Sequence, residues 1–197
     1  MPDINVKIGE IVTADSATFS FQCHALGQPP PLGSLVLTGD ADASIYGIVH
    51  SASTLPIDRG RQVQALGAQF QDEAALYRDH PELDQLLRTE VHALVAGHRS
   101  ANALRYTLPP HPARIHGFVL LASASQVREF TRDLSFIATL TGADVPHRDH
   151  ALAACLRLAA AAHEKPRDFL VGAGREAARL LAADAPRLHL LLRQIAS

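Results

Sequence analysis

The densest grouping of chemistry-bearing side chains lies in the stretch ADVPHRDH, where His147, Asp149 and His150 fall together with Asp144 close by. Two histidines three apart share a face at helical spacing. Beside a carboxylate they make the nitrogen and oxygen donor set that a zinc ion takes. The same letters also describe a helix start, because an acid such as Asp149 in a first turn favours the positive end of the helix dipole with no metal at all. His147, His150 and Asp149 are therefore the candidate metal ligands, and the other histidines are scattered singly.

Nucleophilic chemistry has weaker material. Cys23 precedes His24 in the β-type stretch TFSFQCH, and neighbours in a strand point to opposite faces, so the two cannot form a thiolate–imidazolium pair. Cys155 sits in ALAACLRLAAAA and reads as core, while Asp40 and Asp42 read as turn residues. No glycine-rich run is followed by Lys and Ser or Thr, which excludes a phosphate loop of the NTPase kind. GAGR at 172–175 lies inside a helical pattern without the preceding strand that a dinucleotide site needs. No catalytic constellation emerges, and the chain reads as non-enzymatic with no cofactor.

Composition narrows the partners. The 197 residues are 47% hydrophobic, enough to bury a core. With 18 basic residues against 20 acidic ones, the net charge of -2 gives no electrostatic case for nucleic acid or anionic lipid as the main ligand. Only Lys7 and Lys165 are lysines. Arg59, Arg61, Arg88, Arg99 and Arg105 are the cations near the β-rich part, few for a single-strand-binding groove. Two distant cysteines and an N-terminus without a basic region and apolar run point to a reducing, cytoplasmic setting. The apolar stretches at 118–124 and 151–162 are too short or interrupted to cross a bilayer.

The elements that must position these residues divide the chain. Period-2 alternation from Val6, TFSFQCH at 18–24, SLVLT at 34–38 and ASIYGIVHSAST at 43–54 read as four strands, separated by ADSA, the proline-stiffened GQPPPLG and a turn at 39–42. Gly47 in the middle of the fourth strand marks a bulge, a bend at a barrel corner or a close backbone approach. Two short helices follow near 70–87, the second started by Pro81 at its first turn. RTEVHALVAGH and LRYTL at 104–108 read as a strand and its hairpin partner, and the prolines at 109, 110 and 112 form the clearest boundary. IHGFVLLA adds one more strand. A helix capped by Ser125 then carries Val127, Phe130, Leu134, Ile137 and Leu140 on one stripe and ends at Gly142. Helices near 150–162, 168–183 and after Pro186 complete the chain.

Three stretches carry a family likeness: IGEIVTADSATFSFQCH, PPLGSLVL and IYGIVHSASTLPID. They resemble the HAS-barrel, the small β-barrel at the N-termini of HerA-type DNA translocases and of ATP synthase subunits. The whole chain is similar to small stand-alone HAS-barrel proteins of cyanobacterial type through its TPID turn, QALG segment, TE-rich strand ending in Gly97, YTLPPHPARIH stretch and terminal LRQI. In the ATPases the barrel forms a collar that helps assemble hexamers while a separate domain does the chemistry. That domain is missing here, so the resemblance implies docking without ATP hydrolysis or translocation.

The resulting expectation is an α+β chain. Residues 1–112 form a small N-terminal β-barrel, HAS-barrel-like, with a helical insertion near 70–87, and residues 113–197 form a C-terminal helical bundle. Its function is protein interaction or assembly, with a ring ATPase of HerA or another type, or a complex under assembly, as partner, and self-association through the helices as a further option. Tyr46, Pro56, Asp58, Arg59 and the stretch Tyr106 to Pro110, including Pro109, are the surface positions expected to bind the partner. The alternatives are a metal-dependent enzyme with its site where barrel meets helices, using His147, His150 and Asp149, and a nucleic-acid-processing accessory factor.

Overall fold

The computed structural model describes residues 6–40, 43–58, 60, 62–101 and 103–196. Among these the chain is a mixed α+β protein with seven strands and seven helices. The strands are β1 Val6–Ala14, β2 Thr18–Cys23, β3 Leu35–Gly39, β4 Ser44–Pro56, β5 Leu87–Ser100, β6 Ala103–Arg105 and β7 Phe118–Leu121. All pair antiparallel, in the order β2-β1-β7-β3-β4-β5-β6, and β2 also pairs with β5. The circuit of ladders β1–β2–β5–β4–β3–β7 therefore returns to its start. Only β6, shorter than the 104–108 expected from sequence, hangs outside it.

Alternation along these strands feeds two apolar clusters. Val36, Val49, Val91, Ala93, Val95 and Val119 join Ile11, Phe19 and Phe21 in one. Their neighbours Leu35, Leu37, Tyr46, Ile48, Leu94 and Ala96 join residues of the helices in the other. Strands buried on both faces read as continuous apolar runs, which is why SLVLT and VHALVA carry so few polar letters.

Gly47 sits at a register shift between β4 and β5, as its position in the sequence suggests. A Cβ there would meet the Phe19 ring at 2.7 Å, so the glycine lets the ring lie against the backbone. Gly33, with φ of +82°, makes the turn that delivers β3, and a Cβ on it would strike the backbone of Ala154 and Cys155.

The long β4–β5 hairpin pairs from Ile45 with His98 to Pro56 with Leu87. An insertion fills its tip: a 3-10 turn at Gly67–Gln69, α1 Glu73–Asp79 and α2 Leu83–Leu86. Asp72 caps α1 by accepting from the Ala75 N–H at 2.7 Å. The second helix begins at Leu83 rather than at Pro81, because Pro81 and Glu82 are taken up by a turn closed by the Leu83 N–H on the His80 carbonyl at 3.1 Å.

The remaining helices are α3 Ala124–Phe130, α4 Phe136–Gly142, α5 Arg148–Ala160, α6 Pro166–Leu180 and α7 Ala185–Ala196. The single helix expected from Ser125 to Gly142 is two. Ser123, not Ser125, caps α3 in a capping box with Gln126. The break follows where the Thr131 hydroxyl donates to the Val127 carbonyl at 2.6 Å and Asp133 accepts from the Ser135 N–H at 2.8 Å. α5 is the hub, touching α3, α4, α6, α7 and β4. β7, reached only after the proline segment, sits between β1 and β3 and so completes the sheet from beyond residue 112.

Candidate functional site

The HRDH grouping opens α5. His147 stands at the N-cap in left-handed backbone with φ of 60°, Asp149 lies in the first turn, and His150 is exposed. Arg187 of α7 takes both oxygens of the Asp149 carboxylate, Nε donating at 2.8 Å and Nη2 at 2.6 Å, and Nη2 also donates to the Thr141 carbonyl at 2.9 Å. The carboxylate in turn holds the Arg187 guanidinium pKa above its ordinary value. Through Arg187 this acid helps clasp α4, α5 and α7 together, and His147, Asp149, His150 and Arg187 line one hollow of about 330 Å³. Among the described residues no three His, Cys, Asp or Glu side chains gather as metal ligands would.

A second imidazole grouping lies where β4 meets the loop before α5. His50 is buried, its Nδ1 lies 3.2 Å from the Pro146 carbonyl, and its ring is 6.2 Å from that of His92. Burial pushes its pKa below the usual histidine range against the pull of that carbonyl, and the charges of His92 and His147 add to the lowering. Both cysteines are buried free thiols. Burial raises the pKa of Cys23 and pushes that of Cys155 up to about 12, the opposite of what a nucleophile needs.

The expected partner-binding residues separate into three places. Tyr46 and Tyr106 belong to a seam between sheet and helices. Tyr46 is only 3% exposed, which corrects its assignment to the surface: its strand is buried on both faces. Its ring stacks on Phe130 at 5.1 Å and its hydroxyl accepts from Arg99 at 3.2 Å, and Arg99 pairs with Glu129 at 2.8 Å. Tyr106 is half-buried, meets Phe130 edge-on at 5.3 Å and donates its hydroxyl to the Phe130 carbonyl at 2.6 Å. Burial first, then the negative charge of Asp133, pushes its pKa up to about 12.

Pro56 and Asp58 stand at the root of the insertion, Pro56 half-buried and Asp58 exposed, while Arg59 lies outside the described residues. The Asp58 carboxylate accepts from the Gly60 N–H at 2.9 Å. Beyond them, not one described residue from 57 to 86 is buried. Ile57, Val63, Leu66, Tyr77 and Leu86 are exposed at 48, 66, 42, 42 and 37%. Val63, Leu66, Leu83 and Leu86 line an open hollow of about 490 Å³ that reaches Pro56.

Pro109 and Pro110 wall a larger groove of about 800 Å³ between the β3–β4 turn, the end of β5 and the segment leading to β7. Lys7, His98, Arg99, His111, Arg114 and His116 contribute to its lining. These residues come from separate parts of the chain, so no local spacing could have announced them.

Compared with known protein families and with curated proteins, the chain matches no family model and no curated relative. Among the described residues no helix is long and apolar enough to cross a membrane.

Proposed function

We propose that the chain is a docking module with no chemistry of its own: a small barrel of HAS type, working in the reducing cytoplasm, that presents the 57–86 insertion as an arm to a partner protein. The carrying observation is that this arm buries none of its described residues while exposing Ile57, Val63, Leu66, Tyr77 and Leu86, of which Val63, Leu66 and Leu86 line one hollow. Exposed apolar surface of that kind marks an interaction site. The closed circuit of ladders and the register shift at Gly47 support the barrel reading.

Charge selects the partner. The 72–84 stretch of the arm carries Asp72, Glu73, Asp79, Glu82 and Asp84 against Arg78, with Arg59 and Arg61 before it. An acidic stretch beside exposed apolar side chains suits a protein segment carrying an apolar stripe bordered by Lys and Arg. The likeness to the HAS-barrel makes a ring ATPase of HerA type, or a complex under assembly, the first partner to test. A metal-assisted enzyme has less behind it, since Arg187 engages the one carboxylate of the HRDH grouping that the reading needs.

The test is affinity purification of the tagged chain from its own host, beside a Leu66→Asp, Leu86→Asp variant whose exposed positions leave folding intact. A ring ATPase or assembly intermediate recovered in stoichiometric amount with the wild type and lost with the variant is the expected result. Recovery of the chain alone, or equal capture by both, overturns the reading.

A further inference from the structure

The proline-walled groove shares no lining residue with the hollow on the arm, and its chemistry is different. At about 800 Å³ it has the size of a small-molecule cleft. Ile45, Ile115, Phe118 and Leu120 give it apolar surface. Its fixed charges are Lys7, Arg99 and Arg114 against Asp40, while Asp42 of the same turn lies outside the described residues. In a chain of net charge -2 this is a local reversal of sign.

The charges differ in what already holds them. Glu129 pairs with Arg99, and Glu10 lies 2.5 Å from His116. Asp40 is turned onto its own loop, accepting from the Ala43 N–H at 3.1 Å. Lys7 lies over the Phe118 ring at 3.9 Å, and among the described residues neither Lys7 nor Arg114 enters an ion pair. His98 is buried, and its Nδ1 donates to the Thr107 carbonyl at 3.0 Å, so the neutral ring keeps Nε2 as an acceptor and the protonated ring gains a second donor.

The wall is also held in place. Pro109, Pro110 and Pro112 restrict the backbone, and the turn that follows is pinned to β1 by the His116 N–H on the Ile11 carbonyl at 3.0 Å and the Ile11 N–H on the Gly117 carbonyl at 2.9 Å. A wall fixed in advance lowers the ordering cost of binding.

We infer that this groove binds a small organic anion: an apolar body against Ile115 and Phe118, and a phosphate, carboxylate or sulfonate head beside Lys7 and Arg114. The inference does not rest on the docking reading. It is tested with two dyes that share a body and differ in charge, anilinonaphthalene sulfonate and neutral phenylnaphthylamine, titrated into the full chain and into a Lys7→Gln, Arg114→Gln variant. Both substitutions are at exposed positions, and thermal unfolding checks that the variant is folded.

The sulfonate is expected to bind about tenfold tighter than the neutral dye, with that preference falling to near parity in the variant while neutral-dye binding is unchanged. The Leu66→Asp, Leu86→Asp variant, which removes the competing apolar hollow, is expected to keep the preference. Equal affinity for both dyes, or a preference that survives loss of Lys7 and Arg114, overturns the assignment. A short single-stranded oligonucleotide is expected to displace the sulfonate no better than inorganic phosphate at equal phosphate concentration. Displacement about tenfold stronger would make the groove a nucleic-acid surface and overturn the small-anion reading.

Discussion

His50 shows what a single residue contributes and when. Its imidazole is buried at 6% exposure in β4, facing the Pro146 carbonyl, with His92 on β5 and His147 at the start of α5 as the titratable neighbours. Its folded pKa lies below the unfolded value, so the unfolded chain binds the proton more readily. Stability is fully present above the unfolded histidine value of about 6.5 and is lost as pH falls from there toward the folded pKa. His163, stacked on Phe169 and lowered by burial and by Arg128, acts in the same direction. Urea unfolding of wild type and His50→Gln between about pH 7.5 and about pH 5.5 reads the term: the wild type is expected to lose more stability than the variant over that interval. Parallel curves would show that His50 takes up its proton equally in both states and contributes nothing to the pH dependence. Gly47 gives a second test, because Gly47→Ala places a methyl against the Phe19 ring, which is itself only 2% exposed. Overpacking of that kind costs about 1–3 kcal/mol, and a stability loss below about 0.5 kcal/mol would mean that the ring has room to shift.

At the scale of elements the insertion separates from the hairpin that carries it. Pro56 pairs with Leu87, and the Ile57 N–H donates to the Leu86 carbonyl at 2.9 Å, so the ladder is already closed at the arm's root. Replacing 58–85 with Asn-Gly, which suits a two-residue hairpin turn, is therefore expected to change unfolding stability by less than about 1 kcal/mol. A loss of several kcal/mol would show that the arm is part of the core. The strands were legible because alternation and turn residues are local: Gly47, the prolines of GQPPPLG and the PPHP segment punctuate them directly. The split between α3 and α4 was not, since Phe130, Leu134 and Ile137 keep a helical spacing straight through it. What breaks the helix is side-chain competition for backbone groups by Thr131 and Asp133, which the apolar stripe does not record. Ser123 with Gln126 three residues on was the visible capping signal. Tyr46 was misplaced for a tertiary reason: alternation predicts a wet face, and the helices cover it. Of the cationic groove only the proline wall at 109 and 110 was singled out, because the other walls meet it only through the topology.

For the whole molecule the question is whether sheet and helices unfold together. One cluster runs from Leu35, Leu37, Ile48 and Leu94 in the strands through Phe130, Phe136 and Leu140 to Leu152, Leu156, Ala177 and Leu191 in the helices. β7 ties the same two parts covalently, since it lies between β1 and β3 and leads straight into α3. A chain cut after residue 112 lacks the strand that joins β1 to β3, and one cut after β7 lacks the helices that cover Leu35, Leu37 and Tyr46. Neither piece retains a complete core, so the 197-residue chain is expected to unfold as one cooperative unit. The chain supplies its own probes: with no tryptophan and three tyrosines, emission is dominated by tyrosine, and Tyr46 and Tyr106 both sit on Phe130 at the seam. Tyrosine fluorescence and far-ultraviolet circular dichroism, followed through one urea titration, are expected to give coincident midpoints and slopes. Two separated transitions, with the fluorescence change confined to one, would mean that the boundary near residue 112 divides folding units, and that the seam is an interface between domains rather than the middle of a shared core.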